Sequence, residues 1–231
     1  MCGRYDFSRK EFSDLRIRWN LDRSFPPLEP RYNIAPSQQA PVVINADGGK
    51  GVALLQWGLV PWWAKDPSIA NRTINAKCES LAQKATFKHL LEQRRCIVPA
   101  CGFYEWRKEG KEKVAMRFKL KSGEPFAFAG LWDSWRKPDG KFLTTFTIVT
   151  TEANNLVRPI HGRMPAMLND NNALKWLSSD GKVSDALFLL SPYPAEEMEA
   201  YDVSALVNDP RNDSPACIEP SEMPCVQPRL I

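Results

Sequence analysis

The stretch from Cys96 to Arg107 reads CIVPACGFYEWR and is rich in the β-branched and aromatic residues that favour strands. Three similar runs follow along the chain, at Val114–Leu120, Phe126–Trp135 and Phe142–Thr151. The connections between the runs are short and contain glycine, at Glu109-Gly110, Ser122-Gly123 and Asp139-Gly140. Because turns this short join antiparallel strands, the four runs predict an antiparallel meander.

Two shorter strand-like runs precede this meander, at Pro41–Asn45 and Val52–Leu59. The residues Asp47-Gly48-Gly49 between them are typical of a hairpin turn. The Pro-rich stretch 25–36 and the tail after Tyr201 are predicted to be irregular, because proline interrupts both helices and strands.

Helices are predicted at three places. Ser8 and Glu11 have the spacing of a capping box, so a first helix is expected over residues 8–20. A second helix is expected over Glu79–Arg94, where apolar residues recur at helical spacing: Leu81, Phe87, Leu90 and Leu91. A third begins near residues 169–171, carries Leu174 and Leu177, and ends before Asp180-Gly181. The fold class predicted is α+β: a single domain, residues 1–231, with a curved, mainly antiparallel, barrel-like sheet and inserted helices.

The composition describes an ordinary globular protein. The chain has 231 residues, of which 43% are hydrophobic, and eight tryptophans, which is ample for a core. A net charge of +4 suits a nucleic-acid binder and many enzymes alike, so charge alone decides nothing. No apolar run approaches the ~20 residues that cross a bilayer, and no secretory leader precedes Cys2. We expect a monomer with no membrane contact, cytoplasmic in bacteria and acting at the nucleoid, or nuclear in a eukaryote.

The six cysteines are expected to be reduced thiols, because a chain of this kind points to a reducing compartment. They are Cys2, Cys78, Cys96, Cys101, Cys217 and Cys225. The sequence contains neither a CxxC pair nor an HExxH run, which are typical of zinc sites. We therefore expect no metal and no other cofactor.

Cys2 is the residue with the most distinctive chemistry. Removal of Met1 would leave an α-amine and a thiol on adjacent carbons, which titrate near ~8 and ~8.5. Such a 1,2-aminothiol condenses with an aldehyde: the amine forms an imine, and the thiol closes a five-membered thiazolidine. A terminal cysteine could equally serve as a nucleophile in amide hydrolysis, and its position could be an accident of translation.

Three polar residues lie where a core would favour apolar ones. Asn75 precedes the second predicted helix, where capping is the usual role of a lone asparagine. Glu105 alternates onto the face of Phe103 among aromatic residues, where poor solvation would raise its pKa and suit proton transfer; a solvent-facing glutamate is the alternative. His161 is preferred over His89 as a site imidazole because it lies on a loop, although a structural histidine is the common case.

Two adjacent tryptophans, Trp62 and Trp63, follow a proline in a loop near Lys65, Arg72 and Lys77. Aromatic faces beside cations bind unstacked bases in single-stranded nucleic acids. A pair of tryptophans in a loop can equally be a hydrophobic plug, and the residues alone do not separate these interpretations.

A series of short motifs runs through the chain in a fixed order. The blocks are Met1-Cys2-Gly3-Arg4, Arg31-Tyr32-Asn33-Ile34-Ala35-Pro36, Trp57-Gly58-Leu59-Val60-Pro61-Trp62-Trp63, Asn75-Ala76-Lys77-Cys78-Glu79, Arg95-Cys96-Ile97-Val98-Pro99-Ala100, Gly102-Phe103-Tyr104-Glu105-Trp106, Phe146-Thr147-Ile148-Val149-Thr150, Ile160-His161-Gly162-Arg163-Met164-Pro165, and Val203-Ser204 to Val207-Asn208. Together they resemble the SRAP family, the SOS response-associated peptidases whose members process abasic sites.

The resemblance implies binding of single-stranded DNA that carries an abasic site, whose ring-opened sugar presents an aldehyde. It implies that Cys2 forms a thiazolidine with that aldehyde, which links the protein to the DNA and shields the lesion. By the same resemblance Asn75 would hold the terminal cysteine and the sugar, and Glu105 would shuttle protons during ring opening and Schiff-base formation. His161 would assist proton transfer at the sugar hydroxyl or in reversal of the crosslink. The residues that would line the DNA channel are Arg4, Asn33, Trp62, Trp63, Lys77 and Arg163.

The chain departs from the family pattern at two positions. Lys77 replaces the usual arginine, which keeps the charge but loses the bidentate fork, so one phosphate contact is expected to be looser. Gly162 stands where the family often has an acidic residue or asparagine, which could remove a group that orients His161.

Two other functions are kept as alternatives to abasic-site crosslinking. A cysteine peptidase, autoproteolytic or acting on other proteins, would turn over amides without DNA. A non-catalytic module that binds single-stranded DNA would tolerate loss of Cys2. Replication-fork partners are not predicted by any motif.

Overall fold

The structure is a computed structural model that describes residues 2–9, 13–23, 27–46, 49–178 and 182–221. Its strands are β1 (Tyr5–Phe7), β2 (Arg31–Ile34), β3 (Gln39–Ala46), β4 (Gly49–Trp57), β5 (Asn75–Lys77), β6 (Arg95–Ala100), β7 (Gly102–Glu109), β8 (Glu112–Leu120), β9 (Phe126–Arg136), β10 (Phe142–Glu152), β11 (Arg163–Pro165), β12 (Met167–Leu168) and β13 (Met198–Asp202). Its helices are α1 (Ser13–Arg18), α2 (Ala85–Gln93), α3 (Asp170–Leu177) and α4 (Val183–Phe188). None of the helices in the described ranges is long and apolar enough to cross a membrane.

Five strands close into a barrel. The hydrogen-bonded order β10-β4-β3-β6-β9 returns to its start because β9 also pairs with β10. The ring is antiparallel except between β10 and β4, where Phe146 lies beside Trp57 in a parallel pair. Short strands β5, β11 and β12 extend the edges of this sheet. The α+β class and the barrel-like, mainly antiparallel core predicted from the sequence are confirmed.

A second sheet packs against the barrel in the order β13-β8-β7-β1-β2. The N-terminal strand β1 therefore lies inside this sheet, between β7 and β2. The ring of Tyr5 from β1 meets the rings of Trp57 and Phe128 from the barrel edge-on, at centroid distances of 5.2 and 5.7 Å. These contacts bury the main hydrophobic core between the two sheets.

A buried ion pair ties the second sheet together. Arg117 of β8 donates to Asp6 of β1 through Nε at 2.7 Å and Nη2 at 3.0 Å. Arg117 also donates to the Tyr201 hydroxyl of β13 at 2.7 Å. A Cβ at Gly102 would lie 2.7 Å from Asp6 Oδ1 and 2.8 Å from Arg117 Nε. Glycine at position 102 is therefore required by the close approach of this pair.

The stretch Cys96–Arg107 is two strands in different sheets, and the prediction of one continuous strand was wrong. β6 pairs with β3 and β9 in the barrel, whereas β7 pairs with β1 and β8. The chain changes sheets at Cys101, whose N–H donates to Asp6 O at 2.8 Å. The connection at Ser122-Gly123 likewise leads from β8 in one sheet to β9 in the other. The residues of a turn do not indicate whether the next strand joins a different sheet, so the predicted meander was wrong at both places.

Two predicted helices differ from the structure in their first residues. Ser8 is not helical, because its hydroxyl donates to Asp6 Oδ2 at 3.0 Å instead of capping a helix; the rest of the proposed capping box lies outside the described residues. The second predicted helix is a 3₁₀ turn at Cys78–Ser80 followed by α2 from Ala85. Its predicted apolar stripe is buried.

The Pro-rich stretch contains a strand that was not predicted. Arg31–Ile34 forms β2, and Tyr5 pairs with Ile34. The carboxylate of Asp213 accepts hydrogen bonds from the backbone N–H groups of Tyr32 and Asn33 at 2.5 and 3.1 Å. Partners distant in sequence thus satisfy a backbone whose local composition indicates a loop.

The remaining elements agree with expectation or were missed. The third helix begins at its N-cap Asn169 and ends at Leu177, as predicted. Strand β3 extends its predicted run at both ends, whereas β4 begins three residues before its predicted run and ends two residues short of it, at Trp57; residues 47–48 of their turn lie outside the described ranges. The elements α4, β11, β12 and β13 were not predicted, because their sequences are too short for a periodic pattern.

We expect Asp6→Asn to lower the free energy of unfolding by about 3–5 kcal/mol, because Arg117 would keep a buried charge without a counter-ion. Urea denaturation measures the change. Glu109→Gln is the control, because it removes an exposed partner of Arg107 and should cost about 0–1 kcal/mol. Equal losses in the two variants would contradict a structural role for the buried pair.

Candidate active site

Strand pairing brings Cys2 beside Glu105. The N–H of Tyr104 donates to Arg4 O at 3.0 Å, continuing the register in which Tyr5 lies opposite Phe103. Cys2 has no exposed surface and packs in the main core, with its Sγ 3.6 Å from Arg4 O. Burial raises the pKa of the Cys2 thiol, and the negative charge of Glu105 raises it further. The thiol is therefore protonated at neutral pH.

Glu105 is a buried carboxyl group on β7, with 6% of its surface exposed. Burial raises its pKa above the ordinary value of 4.5, while charge on His161 acts in the opposite direction. The predicted orientation of Glu105 toward the core is confirmed. A carboxyl group with a raised pKa can donate a proton in its protonated form and accept one in its ionised form.

The backbone of Arg163 orients the imidazole of His161. Nδ1 of His161 lies 3.0 Å from the N–H of Arg163 and 2.9 Å from its carbonyl oxygen. The N–H donates to a neutral Nδ1, and the carbonyl accepts from a protonated one, so the ring keeps its place in both states. This backbone contact does the orienting that an acidic residue at position 162 would otherwise do. His89, by contrast, lies on α2 with 40% of its side chain exposed.

Glu105 and His161 open onto the same cavity, which has a volume of about 630 Å³. Its other lining residues are Trp106, Arg107, Lys108, Lys113, Pro159 and Ile160. The cavity is large enough for a sugar and its flanking phosphates, and its walls carry an excess of cations. The structure thus brings three of the four predicted catalytic residues, Cys2, Glu105 and His161, into electrostatic contact.

Asn75 lies on strand β5 and does not cap a helix. It pairs in parallel with Ile148 of β10, and Lys77 pairs with Thr150. Both side-chain polar atoms of Asn75 are buried and lack a hydrogen-bond partner within the described part of the chain. A buried amide without partners costs about 1–3 kcal/mol, so Asn75 is suited to a group that arrives with a substrate. Lys77 is exposed.

Arg163 is held by Glu79 and Thr150. Its guanidinium donates to Glu79 Oε1 at 2.5 Å and Oε2 at 3.0 Å, and to Thr150 O at 2.6 Å. Thr150 is the partner of Lys77 across the β5–β10 ladder. Arg163 and Lys77 therefore lie on strands that flank β10 on its two sides, and a phosphate would have to displace Glu79 from Arg163.

Arg4 and Asn33 form a buried structural pair. Asn33 has no exposed surface, and its Nδ2 donates to the carbonyls of Val207, Asp209 and Asn212 at 3.2, 3.0 and 2.7 Å. Its Oδ1 accepts from Arg4 Nη1 at 2.8 Å. Any effect of Asn33 on DNA therefore passes through Arg4, which stacks over Trp106 at 5.8 Å.

The two tryptophans form an exposed platform. Trp62 and Trp63 are 62% and 46% exposed. The backbone N–H of Trp62 donates to the buried carboxylate of Asp133 at 2.9 Å, and the indole N–H of Trp135 donates to Ala64 O at 2.7 Å. These bonds fix the loop while leaving the indole faces free, which agrees with a stacking surface and not with a hydrophobic plug.

Sequence reasoning missed several residues that support the site. Glu79 was quoted only as part of a motif, although it neutralises Arg163, and Asp133 was not singled out, although it holds the tryptophan loop. Both act on residues far away in sequence, so no local signal marks them. The described cysteines are free thiols, as predicted; Met1 and Cys225 lie outside the described residues.

A family model for SOS response associated peptidases (SRAP) matches residues 1–210. The chain belongs to the SRAP family. Among curated SRAP-family relatives, the abasic site processing protein YoqW of Bacillus subtilis is 47% identical over 223 residues, covering 95% of this chain and 99% of that protein. The abasic site processing protein HMCES of Gallus gallus is 34% identical over 227 residues, covering 84% of this chain and 67% of that protein.

The fold is also found among solved structures. A crystal structure of a protein from Bacteroides thetaiotaomicron superposes with a TM-score of 0.85 at 27% identity, covering 96% of this chain and 100% of that one. A protein from Bordetella bronchiseptica gives a TM-score of 0.73 at 25% identity and covers 88% of this chain. The architecture of this SRAP-family chain is thus shared at low sequence identity.

We expect Asn33→Ala to release the segment 207–212 and to lower the free energy of unfolding by about 2–3 kcal/mol, because buried carbonyls would lose their donors. Hydrogen exchange resolved by residue measures the local effect. Asn208→Ala, which removes only a bond to Trp106, is the matched control. Unchanged protection of residues 207–212 in the Asn33 variant would contradict this role.

Proposed function

We propose that the protein recognises abasic sites in single-stranded DNA and links itself to them through a thiazolidine at Cys2. The observation that carries the proposal is the position of Glu105, which interacts electrostatically with Cys2 and with His161 and lines a cavity together with His161 and several cations. The names of the SRAP-family relatives, abasic site processing proteins, support the same substrate.

The proposed reaction begins after Met1 is removed. The α-amine of Cys2 adds to the aldehyde carbon of the ring-opened sugar, and the resulting carbinolamine loses water to form an imine. The imine forms in its protonated state, so the thiol sulfur adds to the imine carbon while the nitrogen keeps its hydrogen, and the thiol proton is taken up by a neighbouring base. An aldehyde and an aminothiol thereby give one thiazolidine and one water, with no oxidant or cofactor.

Each polar residue has a step in this scheme. Protonated Glu105 donates to the departing hydroxyl of the carbinolamine, and its carboxylate then accepts the thiol proton. His161, held by the backbone of Arg163, transfers a proton at the ring oxygen as the sugar opens. The unpaired amide of Asn75 holds the sugar or the terminal amine by hydrogen bonds.

The DNA strand is held by charge and stacking. Trp62 and Trp63 stack on bases, and Arg4, Lys77 and Arg163 contact phosphates. Cys2 has no exposed surface, so the lesion must insert its sugar into the cavity, which an unstacked abasic residue does readily. An ordinary nucleotide carries a base on the sugar carbon that is an aldehyde in the ring-opened lesion, so it cannot form the imine.

The high pKa of the Cys2 thiol disfavours the peptidase alternative. A cysteine peptidase attacks with a thiolate, and its pKa is normally lowered by a neighbouring cation. Here burial and Glu105 act in the opposite direction. A thiol that attacks only after the imine has formed can stay protonated until then, because Glu105 removes its proton during ring closure.

We expect Cys2→Ala to abolish the stable crosslink while retaining a transient imine, because the α-amine is kept and the thiol is lost. The imine acidifies the neighbouring C–H and permits β-elimination, so strand incision should increase. Purified protein is mixed with an oligonucleotide bearing one abasic site and analysed by denaturing gel and intact mass. A heat-stable adduct in Cys2→Ala, or none in wild-type protein lacking Met1, would overturn the mechanism.

We expect Glu105→Gln to slow crosslinking by about 10²-fold at acidic pH, the size of a typical general-acid effect. As a general acid, Glu105 acts in its protonated form. Its advantage is therefore present below its raised pKa and is lost as pH rises through that value. Rates measured from about pH 4 to about pH 9 should show the wild-type and Glu105→Gln rates converging at high pH. A ratio that grows with pH would exclude this role.

A further inference from the structure

The hairpin of β7 and β8 places two lysines directly opposite each other. Lys108 and Lys113 are cross-strand partners in the antiparallel ladder, and both are exposed. Like charges in this arrangement repel and destabilise a sheet. Neither lysine forms an ion pair with any residue that the structure describes. The pair is therefore a local cost to stability that the free protein does not offset.

The neighbouring charges are neutralised on the other face of the hairpin. Arg107 donates to Glu109 Oε1 at 2.7 Å and to Asp202 Oδ2 at 2.9 Å. Glu109 and Glu112 are cross-strand partners on that face. Because side chains alternate along a strand, Lys108 and Lys113 share the opposite face with Trp106. No carboxylate among these hairpin residues faces the lysine pair.

The lysine pair also lies at the edge of the candidate active site. Lys108 and Lys113 line the cavity of about 630 Å³ together with Glu105 and His161. On the same face the guanidinium of Arg4 stacks over Trp106 at 5.8 Å, so a third cation lies on the face that carries the lysine pair. Two ammonium groups that face each other in this way bind a shared anion with three or more acceptor oxygens. A backbone phosphate of a nucleic acid has that chemistry.

We propose that Lys108 and Lys113 clamp a phosphate of the DNA strand that enters the cavity. This inference deepens the proposed function, because it names a contact that places the strand beside Glu105 and His161. The two lysines do not take part in thiazolidine chemistry. Their effect is on affinity for the phosphate backbone, which DNA without a lesion also has.

The test compares Lys108→Gln/Lys113→Gln with wild-type protein in binding a fluorescent single-stranded oligonucleotide that lacks an abasic site. The slope of log affinity against log salt should become shallower by about 0.7, because the two lysines share one phosphate and about 0.7 is lost for each phosphate contact on a single strand. Affinity at ~0.1 M salt should fall about tenfold. Lys175→Gln/Lys182→Gln removes two charges that line a different cavity and should leave the slope close to that of wild type.

Stability gives a second and opposite readout. Lys108→Glu converts the repulsive pair into an attractive one, so the melting temperature should rise by about 1–2 °C, while affinity for DNA falls. If Lys108 had a structural role, changing it would lower the melting temperature of the protein. A lower melting temperature together with unchanged DNA affinity would overturn the proposal.

Crosslinking rates separate this inference from the proposed function. With an abasic oligonucleotide, Lys108→Gln/Lys113→Gln should crosslink about tenfold more slowly at low concentration and react with formaldehyde, which has no phosphate, at the wild-type rate. Absence of any crosslink in wild-type protein would refute the proposed function and leave the binding result intact. An unchanged salt slope in the lysine variant would refute the phosphate clamp and leave the crosslinking mechanism intact.

Discussion

The pairing of β1 between β7 and β2 is the constraint on which the rest of the structure depends. It requires the N-terminal strand to lie inside a sheet, where the carboxylate of Asp6 receives the buried guanidinium of Arg117. The same register draws Cys2 into the core and sets it beside Glu105. A terminal residue is usually free to move, whereas here the ladder gives residue 2 a defined position against a defined carboxyl group.

Burial then sets the chemistry of the site. Removal from water raises the pKa values of both Cys2 and Glu105; the charge of Glu105 raises the pKa of Cys2 further, whereas the charge of His161 lowers that of Glu105. A site of this kind is poor at generating a thiolate and good at moving protons between neutral groups. The cations at the rim of the cavity are better solvated than the groups inside it, and they select a polyanion. Recognition therefore takes place at the rim of the site and the reaction in its interior.

Strand positions, the third helix and the glycine turns could be predicted, because period-two and helical patterns are local properties of the sequence. The change of sheet at Cys101 could not be predicted, because it depends on which distant strands accept the backbone hydrogen bonds on either side. The same is true of β2, which lies in a Pro-rich stretch and is held by Asp213. Asn33 was predicted at the DNA channel, yet its amide is used up on the carbonyls of residues 207–212.

The sequence by itself determined the identity of the reactive groups, the motif order that resembles the SRAP family, and the α+β class. These follow from residue types and from their spacing along the chain. Only the tertiary structure decided that Asn75 lies on a strand with an unpaired amide, that Arg163 is shared between Glu79 and Thr150, and that Lys108 faces Lys113 at the cavity edge. The physical reason is that pKa values, hydrogen-bond partners and charge repulsion depend on distances between residues far apart in the chain, which sheet pairing alone sets.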